Sequence, residues 1–468
     1  MQKPTLLRFV LAALLLLGAS LSAPVLGQTS LTDDYREEAG RILGAALTDE
    51  RGWEKLTHLT TVIGHRLSGS AGLEEAIDWA AEGMQSEGLV MRKEPVMVPH
   101  WVRGEESLHV VSPKPRKLDM LGLGNSIGTP EGGITAPVVV VRDFEELETL
   151  GREGVEGKIV VFAVEWRGYG PTVQYRSAGP SRAAKLGAAA ALVRSATGAS
   201  LATPHTGALT YTEGDEIPAA AITVEDSLWF LRMAAAGEEV VVRLDMDAEM
   251  LPDAQSYNLV AEIPGSELPE EVVVMGGHYD SWDVGQGAHD DGAACIAAWH
   301  ALALIHELGL EPRRTLRVVL WTNEENGLRG GVAYRESVGD AVSKHVAAIE
   351  MDGGNERPVG IGATISSRIG EPESAYVLLE QIGVLLQGIR AGEVSRRGGG
   401  ADIGPLMREG VPGIALRTVG EHYFDWHHTN ADTLDKIDPI DFRKAMAVLG
   451  VYGYVLADMP GTLVASER

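Results

Sequence analysis

Residues 272–325 read VVVMGGHYDSWDVGQGAHDDGAACIAAWHALALIHELGLEPRRTLRVVLWTNEE, and this stretch decides the fold. The continuous apolar run Val272–Met275 is typical of a strand buried on both faces of a sheet, and Leu316–Trp321 is predicted to be a second buried strand. Between them, Ala293–Leu310 has the apolar periodicity of a helix. A strand, a helix and a second strand in this order predict an α/β fold, with a mixed, largely parallel sheet and helices on both of its faces.

The flanking segments extend the same pattern towards both ends of the chain. Further helical or strand-like runs are Leu31–Ala46, Gly72–Gly88, Tyr257–Ile263, Val346–Met351 and Pro439–Met459. Proline suits the first turn of that last helix, since it has no backbone N–H to leave unpaired there. We therefore predict one catalytic domain built from residues 28–118 and 251–468.

Residues 119–250 differ in character from the segments on either side. They are rich in Gly and Val, and they hold short strand-like and helical runs without a catalytic constellation. This predicts an inserted α+β domain that covers the site or shapes access to it. His205 and Glu213 lie in a loop of this segment, and isolated polar loop residues usually bind no ligand.

Composition and charge limit the partners of the protein. The chain has 468 residues and a formal net charge of −26, which argues against nucleic acid and anionic membranes. Residues 1–27 combine Lys3 and Arg8 with an apolar run and then small residues, the pattern of a secretory signal peptide. We expect a secreted or periplasmic protein, without membrane association once the signal is removed. Cys295, the only cysteine, cannot form an intramolecular disulfide.

Side chains that bind zinc follow the predicted strand ends or lie in nearby loops. The candidate metal ligands are His278, Asp290, Glu325, Asp352 and His428. Histidine nitrogens and carboxylate oxygens are typical zinc ligands, and a carboxylate shared between two metals would let Asp290 complete two equivalent sets. Taken alone, an Asp-Asp pair before a helix is also a common N-cap, so that alternative stays open for Asp290.

Two acidic residues are candidates for the catalytic step. Asp280 lies two residues after His278, and its carboxylate is predicted to accept the second ring proton of that histidine. Glu324 and Glu325 follow a strand directly, and adjacent residues there point apart. One of the pair can therefore bind metal while the other faces the attacking water as a general base.

Long ordered motifs carry a resemblance to a known family. They are IGHRLSGS (63–70), PHWVRGEES (99–107), LGLGNSIGTP (121–130), GHYDSWDVGQGAHDDG (277–292), VLWTNEE (319–325), EMDG (350–353), ADIGP (401–405) and HHTNADT (427–433). The chain resembles the di-zinc exopeptidases of the aminopeptidase Y and glutamate carboxypeptidase type. The resemblance covers nearly the whole chain after the signal, and it implies that the insert is a protease-associated domain.

The resemblance also implies roles for particular residues. His278 and Asp352 would hold one Zn²⁺, and Glu325 and His428 the other. Asp290 would bridge the two metals and precede a cis peptide bond. Glu324 would be the general base. His427 is implied either to support a metal ligand or to face the substrate, and a substrate-side role is considered for Tyr423. The substrate carboxylate is expected near Gly399 or Arg417, with Arg396 and Arg397 as alternatives.

The activity implied by the resemblance is hydrolysis of unblocked dipeptides, or removal of the N-terminal residue from short peptides, by a metal-bound hydroxide. A homodimer is implied as well. Three alternatives remain open from the sequence. They are a broad-specificity exported aminopeptidase, a single-zinc acyl cyclase, and a non-enzymatic binding protein on the same fold.

Overall fold

The N-terminal part of the structure, a computed structural model, is helical. The described residues are 30–366 and 372–464, so the predicted signal at 1–27 lies outside them. The first helices are α1 (Leu31–Asp34), α2 (Arg36–Thr48), α3 (Arg51–Thr57) and α4 (Ala71–Ser86). The predicted helix at Leu31–Ala46 is therefore interrupted at Tyr35. The hydroxyl of Ser70 accepts a hydrogen bond from Leu73 N at 3.3 Å and so caps α4.

The middle of the chain forms a second sheet with its own helices. After β1 (Val90–Val102), its strands are β2 (Glu106–Ser112), β3 (Arg116–Leu118), β4 (Met120–Gly122), β5 (Ile134–Val141), β6 (Ile159–Phe162), β7 (Ala190–Arg194), β8 (Ala219–Ile222) and β9 (Val241–Met246). Its helices are α5 (Phe144–Val155), α6 (Tyr169–Ser177), α7 (Gly179–Lys185) and α8 (Val224–Ala235).

The chain then returns to the large sheet that β1 began. The strands are β10 (Glu249–Ile263), β11 (Leu268–His278), β12 (Arg314–Trp321), β13 (His345–Glu350), β14 (Pro358–Thr364), β15 (Glu393–Ser395) and β16 (Gly413–Thr418). The helices are α9 (Ala293–Glu307), α10 (Arg329–Val338), α11 (Pro372–Leu385), α12 (Gly404–Arg408), α13 (Tyr423–Trp426) and α14 (Pro439–Asp458).

The large sheet is mixed, as the sequence predicts. Its strand order is β1-β10-β12-β11-β13-β16-β14-β15. The central neighbours β12, β11, β13 and β16 are parallel, while β1, β10 and β14 pair in antiparallel fashion. The parallel centre therefore brings several strand ends to one edge of the sheet.

Helices cover both faces of this sheet, which confirms the predicted α/β class. Val273 and Met275 pack against α2, α4, α9 and α14 on one face. Val272 and Val274 point to the other face, where they pack with Tyr334 of α10. A strand alternates its side chains with a period of two, so a run that is apolar throughout is buried on both sides.

Helix α9 ends three residues earlier than the sequence pattern indicates. It ends at Glu307, and Gly309 follows with a φ of 65°. The N–H of Leu310 donates to Ile305 O at 3.2 Å across this turn. Glycine adopts a left-handed conformation without strain, so Gly309 stops the helix although Leu310 stays buried.

The second sheet lies within the chain of the first. Its order is β3-β2-β9-β5-β6-β7-β8-β4, with β5, β6, β7 and β8 parallel. Strands β2 and β3 pair into it although they precede residue 119, where the sequence predicts the insert to begin. No helix in the described parts of the chain has the length and apolar character needed to cross a bilayer.

Candidate metal centre

The candidate site lies at the C-terminal ends of the parallel strands β12, β11 and β13. His278 is the last residue of β11 and is level with Trp321 of β12. Glu324 and Glu325 follow β12 after a short turn, and Asp352 follows β13. Side chains that leave neighbouring parallel strands at the same edge converge, which is where open α/β sheets place their sites.

The carboxylate of Asp290 lies at the centre of the cluster. Asp290 lies in the turn Ala288–Gly292 just before α9, where the backbone of Asp290 and Asp291 is not helical and the peptide bond between them is cis. Its Oδ1 lies 3.1 Å from His278 Nε2, and its Oδ2 lies 3.3 Å from His428 Nε2. The two oxygens of this carboxylate thus each face a different imidazole.

The predicted ligands fall into two groups around that carboxylate. His278, Asp290 and Asp352 each offer a ligand atom, and these atoms lie within 4.8 Å of one another. Asp290, His427 and His428 form a second such group. Glu325 Oε2 adds to the second half, 3.0 Å from His428 Nε2. The structure therefore brings together the five residues that the sequence singles out as ligands.

The donor set fits a divalent cation. The atoms that converge are carboxylate oxygens and imidazole nitrogens, the usual ligands of zinc. Asp290 Oδ2 and Glu325 Oε1 are buried without a hydrogen-bond partner among the described residues. Buried anionic oxygens are costly unless they are paired or bind a metal.

The electrostatics of the cluster also favour positive charge. Burial alone would lower the pKa of His278, but hydrogen bonds to Asp290 and Asp352 outweigh it and raise that pKa well above its usual value. Burial would likewise raise the pKa of Asp290, yet the hydrogen bond with His278 and the close imidazole of His428 hold that pKa well below its usual range. A cation between these carboxylates is therefore stabilised by its surroundings.

The carboxylate of Asp280 has different partners from those predicted. His278 Nδ1 lies 3.0 Å from the backbone carbonyl oxygen of Asp280 and 3.9 Å from its carboxylate. The carboxylate instead accepts hydrogen bonds from Glu324 N at 3.0 Å and from Glu325 N at 3.3 Å. The backbone turn after β11 folds the carbonyl towards the ring, so the side chain is free to hold the Glu324–Glu325 turn.

A second buried carboxylate, which sequence reasoning missed, holds the turn that carries Asp290. Asp432 accepts hydrogen bonds from the backbone N–H groups of Ala288 at 3.1 Å, His289 at 2.7 Å and Asp290 at 3.2 Å. Asp432 lies in the HHTNADT motif, four residues after His428. The same segment therefore supplies a candidate ligand and the anchor for another.

Glu324 faces an open cleft of about 530 Å³ next to the cluster. Burial, together with the carboxylates of Asp352 and Glu325, raises the pKa of Glu324 well above its usual value, against the opposing effect of His278. Tyr423 and His427 also line the cleft, as the sequence suggests. Gly399 and Arg417 do not line it: Gly399 packs against Met407, and Arg417 lies on β16.

The second sheet closes the opposite side of this cleft. Tyr169 stacks on Phe424 with ring centroids 5.1 Å apart. Arg176 of α6 is the only arginine or lysine among the described residues that line the cleft. Thr206, in the loop between β7 and β8, contacts His428 through its backbone. Sequence reasoning missed these residues because they are separated from the strand-end cluster along the chain, although it had considered the neighbouring His205.

Fold and site together are those of a metallo-exopeptidase, and comparisons with known proteins identify its family. The sequence profile of Peptidase family M28 matches residues 258–452, which span the strands and loops that carry the cluster. The chain belongs to this family. Within it, the chain is similar to carboxypeptidase Q of Mus musculus, at 44% identity over 92% of this chain and 92% of that protein. Carboxypeptidase Q of Homo sapiens is 45% identical over 89% of this chain and 87% of that protein.

Solved structures extend the comparison to the fold. A peptidase M28 precursor from Shewanella amazonensis has a TM-score of 0.88 at 33% identity, covering 93% of this chain and 99% of that one. A zinc aminopeptidase from Bacillus subtilis has a TM-score of 0.65 at 17% identity, covering 87% and 94%. At that low identity, the second structure supports the fold alone.

Proposed function

We propose that the protein is a zinc exopeptidase that binds two zinc ions per chain and hydrolyses unblocked dipeptides or the first residue of short peptides. The observation that carries this proposal is the position of Asp290, whose two oxygens face His278 and His428 respectively. The similarity to carboxypeptidase Q supports an exopeptidase, and the convergence of imidazole nitrogens and carboxylate oxygens supports zinc as the metal.

The proposed ligand sets are symmetric about Asp290. His278 and Asp352 would hold one zinc ion, and Glu325 and His428 the other. His428 is preferred to His427 because its Nε2 lies 3.0 Å from Glu325 Oε2 and 3.3 Å from Asp290 Oδ2, whereas His427 Nε2 lies 3.6 Å from Asp290. When bound, zinc polarises the substrate carbonyl and makes a water molecule more acidic.

Glu324 is proposed as the general base. It lies beside the cluster, its backbone N–H donates to Asp280 Oδ1 at 3.0 Å, and it lines the same cleft as the candidate ligands. Its carboxylate would take a proton from the attacking water and pass it to the leaving amine. Tyr423 and His427, which also line the cleft, would donate hydrogen bonds to the oxygen of the substrate carbonyl.

Arg176 is proposed to bind the C-terminal carboxylate of a dipeptide. That carboxylate lies only one residue from the scissile bond, so the group that binds it must be next to the metal centre. Arg176 Nη1 lies 3.3 Å from His428 Nδ1, and its Nε is buried with no hydrogen-bond partner among the described residues. Arg396, which the sequence also suggests, pairs with Glu373 on the surface instead.

A broad-specificity aminopeptidase remains the second candidate, since it would use the same metal ligands. The test is turnover of free dipeptides, dipeptide amides, N-acetylated dipeptides and peptides of four or more residues. We expect the free dipeptides to be cleaved fastest and the N-acetylated ones not at all. Equal rates on long peptides would favour the aminopeptidase, and no hydrolysis of any of them would refute both.

Export and assembly stay predictions. The signal-like pattern of residues 1–27 supports a secreted or periplasmic location, and the homodimer rests on the family resemblance. N-terminal sequencing of the protein recovered from the producing cell's medium or periplasm would test the first. Light scattering would test the second.

A further inference from the structure

The loop between β7 and β8 holds one of the proposed metal ligands from the opposite side of the cleft. The backbone N–H of Thr206 donates to His428 O at 3.0 Å, and Thr206 O lies 3.2 Å from His428 Nδ1. These two contacts fix both the backbone and the ring of His428. Thr206 and His428 are 222 residues apart in the chain.

The contact with the ring selects one tautomer. His428 Nε2 faces Glu325 and Asp290, so a histidine that binds a cation there must carry its proton on Nδ1. Two groups face Nδ1: the carbonyl oxygen of Thr206 at 3.2 Å and Nη1 of Arg176 at 3.3 Å. Only the carbonyl oxygen can accept that proton, since a guanidinium is a donor without an acceptor.

The position of the Thr206 carbonyl is itself fixed by its neighbours. Arg176 Nη1 donates to Thr206 O at 3.2 Å, and the hydroxyl of Thr206 donates to Gly122 O at 2.7 Å. Arg176 Nη2 is held by the hydroxyl of Tyr169 at 2.9 Å. The carbonyl therefore accepts from both His428 and Arg176, which matches its two lone pairs.

Gly207 makes this arrangement possible. Its φ is 134°, and a Cβ built there would lie 2.1 Å from Arg176 Nη1. The guanidinium lies directly against this residue, so any side chain would displace it or shift the loop. No comparable crowding exists at Gly214, which also has a positive φ of 82° but has nothing within 4 Å of a built Cβ.

We infer that Thr206 is a positioning residue of the metal centre, and that the second sheet is needed for full zinc affinity at the Glu325–His428 half. The inference rests on the proposed role of His428 as a zinc ligand. Partners of the distal nitrogen of a metal-bound histidine typically contribute about 10- to 100-fold to metal affinity. Binding is reciprocal, so zinc at this half also stabilises the docked loop.

The test measures zinc affinity on the full-length, metal-depleted protein by competition with a chelator, without substrate. In Gly207→Ala we expect the affinity of one of the two sites to fall roughly 10- to 100-fold while the other is unchanged. Gly214→Ala is the matched control, and both of its affinities should equal those of the wild type.

A folded Gly207→Ala variant in which both affinities stay unchanged would overturn the inference. If Gly207→Ala does not fold, Thr206→Val is the deciding variant, because it removes the hydroxyl that donates to Gly122 O and accepts from Arg103 Nη2 at 3.5 Å, and it leaves the backbone contacts with His428 in place. A weaker loss at the same site, roughly threefold to tenfold, is then expected, and none would overturn the inference. Failure of the proposed function looks different: either the wild type binds fewer than two zinc ions, or His428→Ala still binds two.

Discussion

The two sides of the cleft are built in different ways. On the large-sheet side, the proposed catalytic residues lie on turns held by nearby carboxylates: Asp280 accepts the N–H groups of Glu324 and Glu325, and Asp432 those of residues 288–290. The other side consists of Tyr169 and Arg176 on α6 and of Thr206 in the loop between β7 and β8, all in the part of the chain that forms the second sheet. The large-sheet side supplies the candidate metal ligands. The second side supplies residues that contact the His428 ring or line the cleft beside it.

Two buried arginines make the contrast concrete. Arg66 is fully buried, and its guanidinium donates to the carbonyl oxygens of Gly64, Tyr279, Gln286 and Gly287. Arg176 is 8% exposed, donates to two neutral oxygens, and leaves its Nε without a partner among the described residues. A buried charge that lines a cleft and has no carboxylate partner among the described residues is suited to an anionic ligand, whereas one whose donors are all satisfied is structural.

The largest effect is expected on the large-sheet side, from Glu324→Gln. The variant keeps the shape of the side chain and removes the base, so kcat should fall by roughly 10²- to 10⁴-fold. Zinc content, measured by plasma emission spectroscopy, should stay at the wild-type value. Glu325→Gln is the matched control, since it should lose zinc as well as activity. Full turnover by Glu324→Gln would refute its role as the base.

Asp280→Asn should have the next largest effect. Asparagine offers one acceptor where the carboxylate offers two, so an N–H of the Glu324–Glu325 turn loses its partner. Hydrogen bonds to charged groups contribute about 1.5–3 kcal/mol, so we expect kcat to fall roughly 10- to 100-fold. KM should change little, because Asp280 does not line the cleft. A variant that changes KM alone would contradict this account.

On the second side, Arg176→Met should alter selectivity more than turnover. The ratio of kcat/KM for a free dipeptide to that for the same dipeptide amide should fall roughly 10- to 50-fold, because the carboxylate loses its charged donor. Using a ratio cancels any general loss of active sites. Arg142→Met is the control, since Arg142 is exposed and pairs with Glu146. An unchanged ratio in Arg176→Met would remove the proposed carboxylate site.

The smallest effect on turnover is expected from a substitution of His345. This residue is 6% exposed and begins β13, at the end of the strand away from Asp352. Burial lowers the pKa of His345 to about 4, with a smaller opposing effect from the carbonyl of Ala341. The unfolded chain binds a proton near pH 6.5 and the folded chain does not, so stability falls as the pH drops from about 6.5 to 4, by at most about 3 kcal/mol.

Urea unfolding at pH 7 and pH 5 measures this pH dependence. His345→Gln should reduce the loss of stability between pH 7 and pH 5 and leave kcat at pH 7 unchanged, while other buried histidines such as His205 and His300 continue to contribute. If the wild type and the variant lose the same stability on acidification, His345 does not titrate as its burial implies.

Much of the large-sheet side could be predicted from the sequence. Val272–Met275 and Leu316–Trp321 are short and mostly apolar, and polar residues follow each within three positions, so local pattern alone indicates both the strands and the candidate ligands near their ends. His278, Glu325 and Asp352 lie at or just after the C-terminal ends of β11, β12 and β13. These strands are parallel neighbours, so their C-terminal ends meet at one edge of the sheet. The family motifs added the pairing of ligands, which spacing alone left open.

The second side could not be predicted, for physical reasons. Arg176 lies on a short helix whose sequence has no distinguishing motif. Thr206 contacts His428 through its backbone, and a backbone contact cannot be predicted from the residue type. Gly207 is one glycine among 56 in the chain. The expected carboxylate site at Gly399 or Arg417 was chosen by charge and by glycine content, and neither property shows which residues face the cleft. Which residues face the cleft depends on how the two sheets and their helices pack against each other.

The most direct test of the central claim is the zinc stoichiometry of the metal-depleted protein, measured by calorimetric titration beside the variant Asp290→Ala. The account predicts two equivalents for the wild type and a loss of affinity at both sites in the variant, because one carboxylate serves both halves. A single equivalent in the wild type, or a variant that keeps one site at full affinity, would contradict the shared-carboxylate centre.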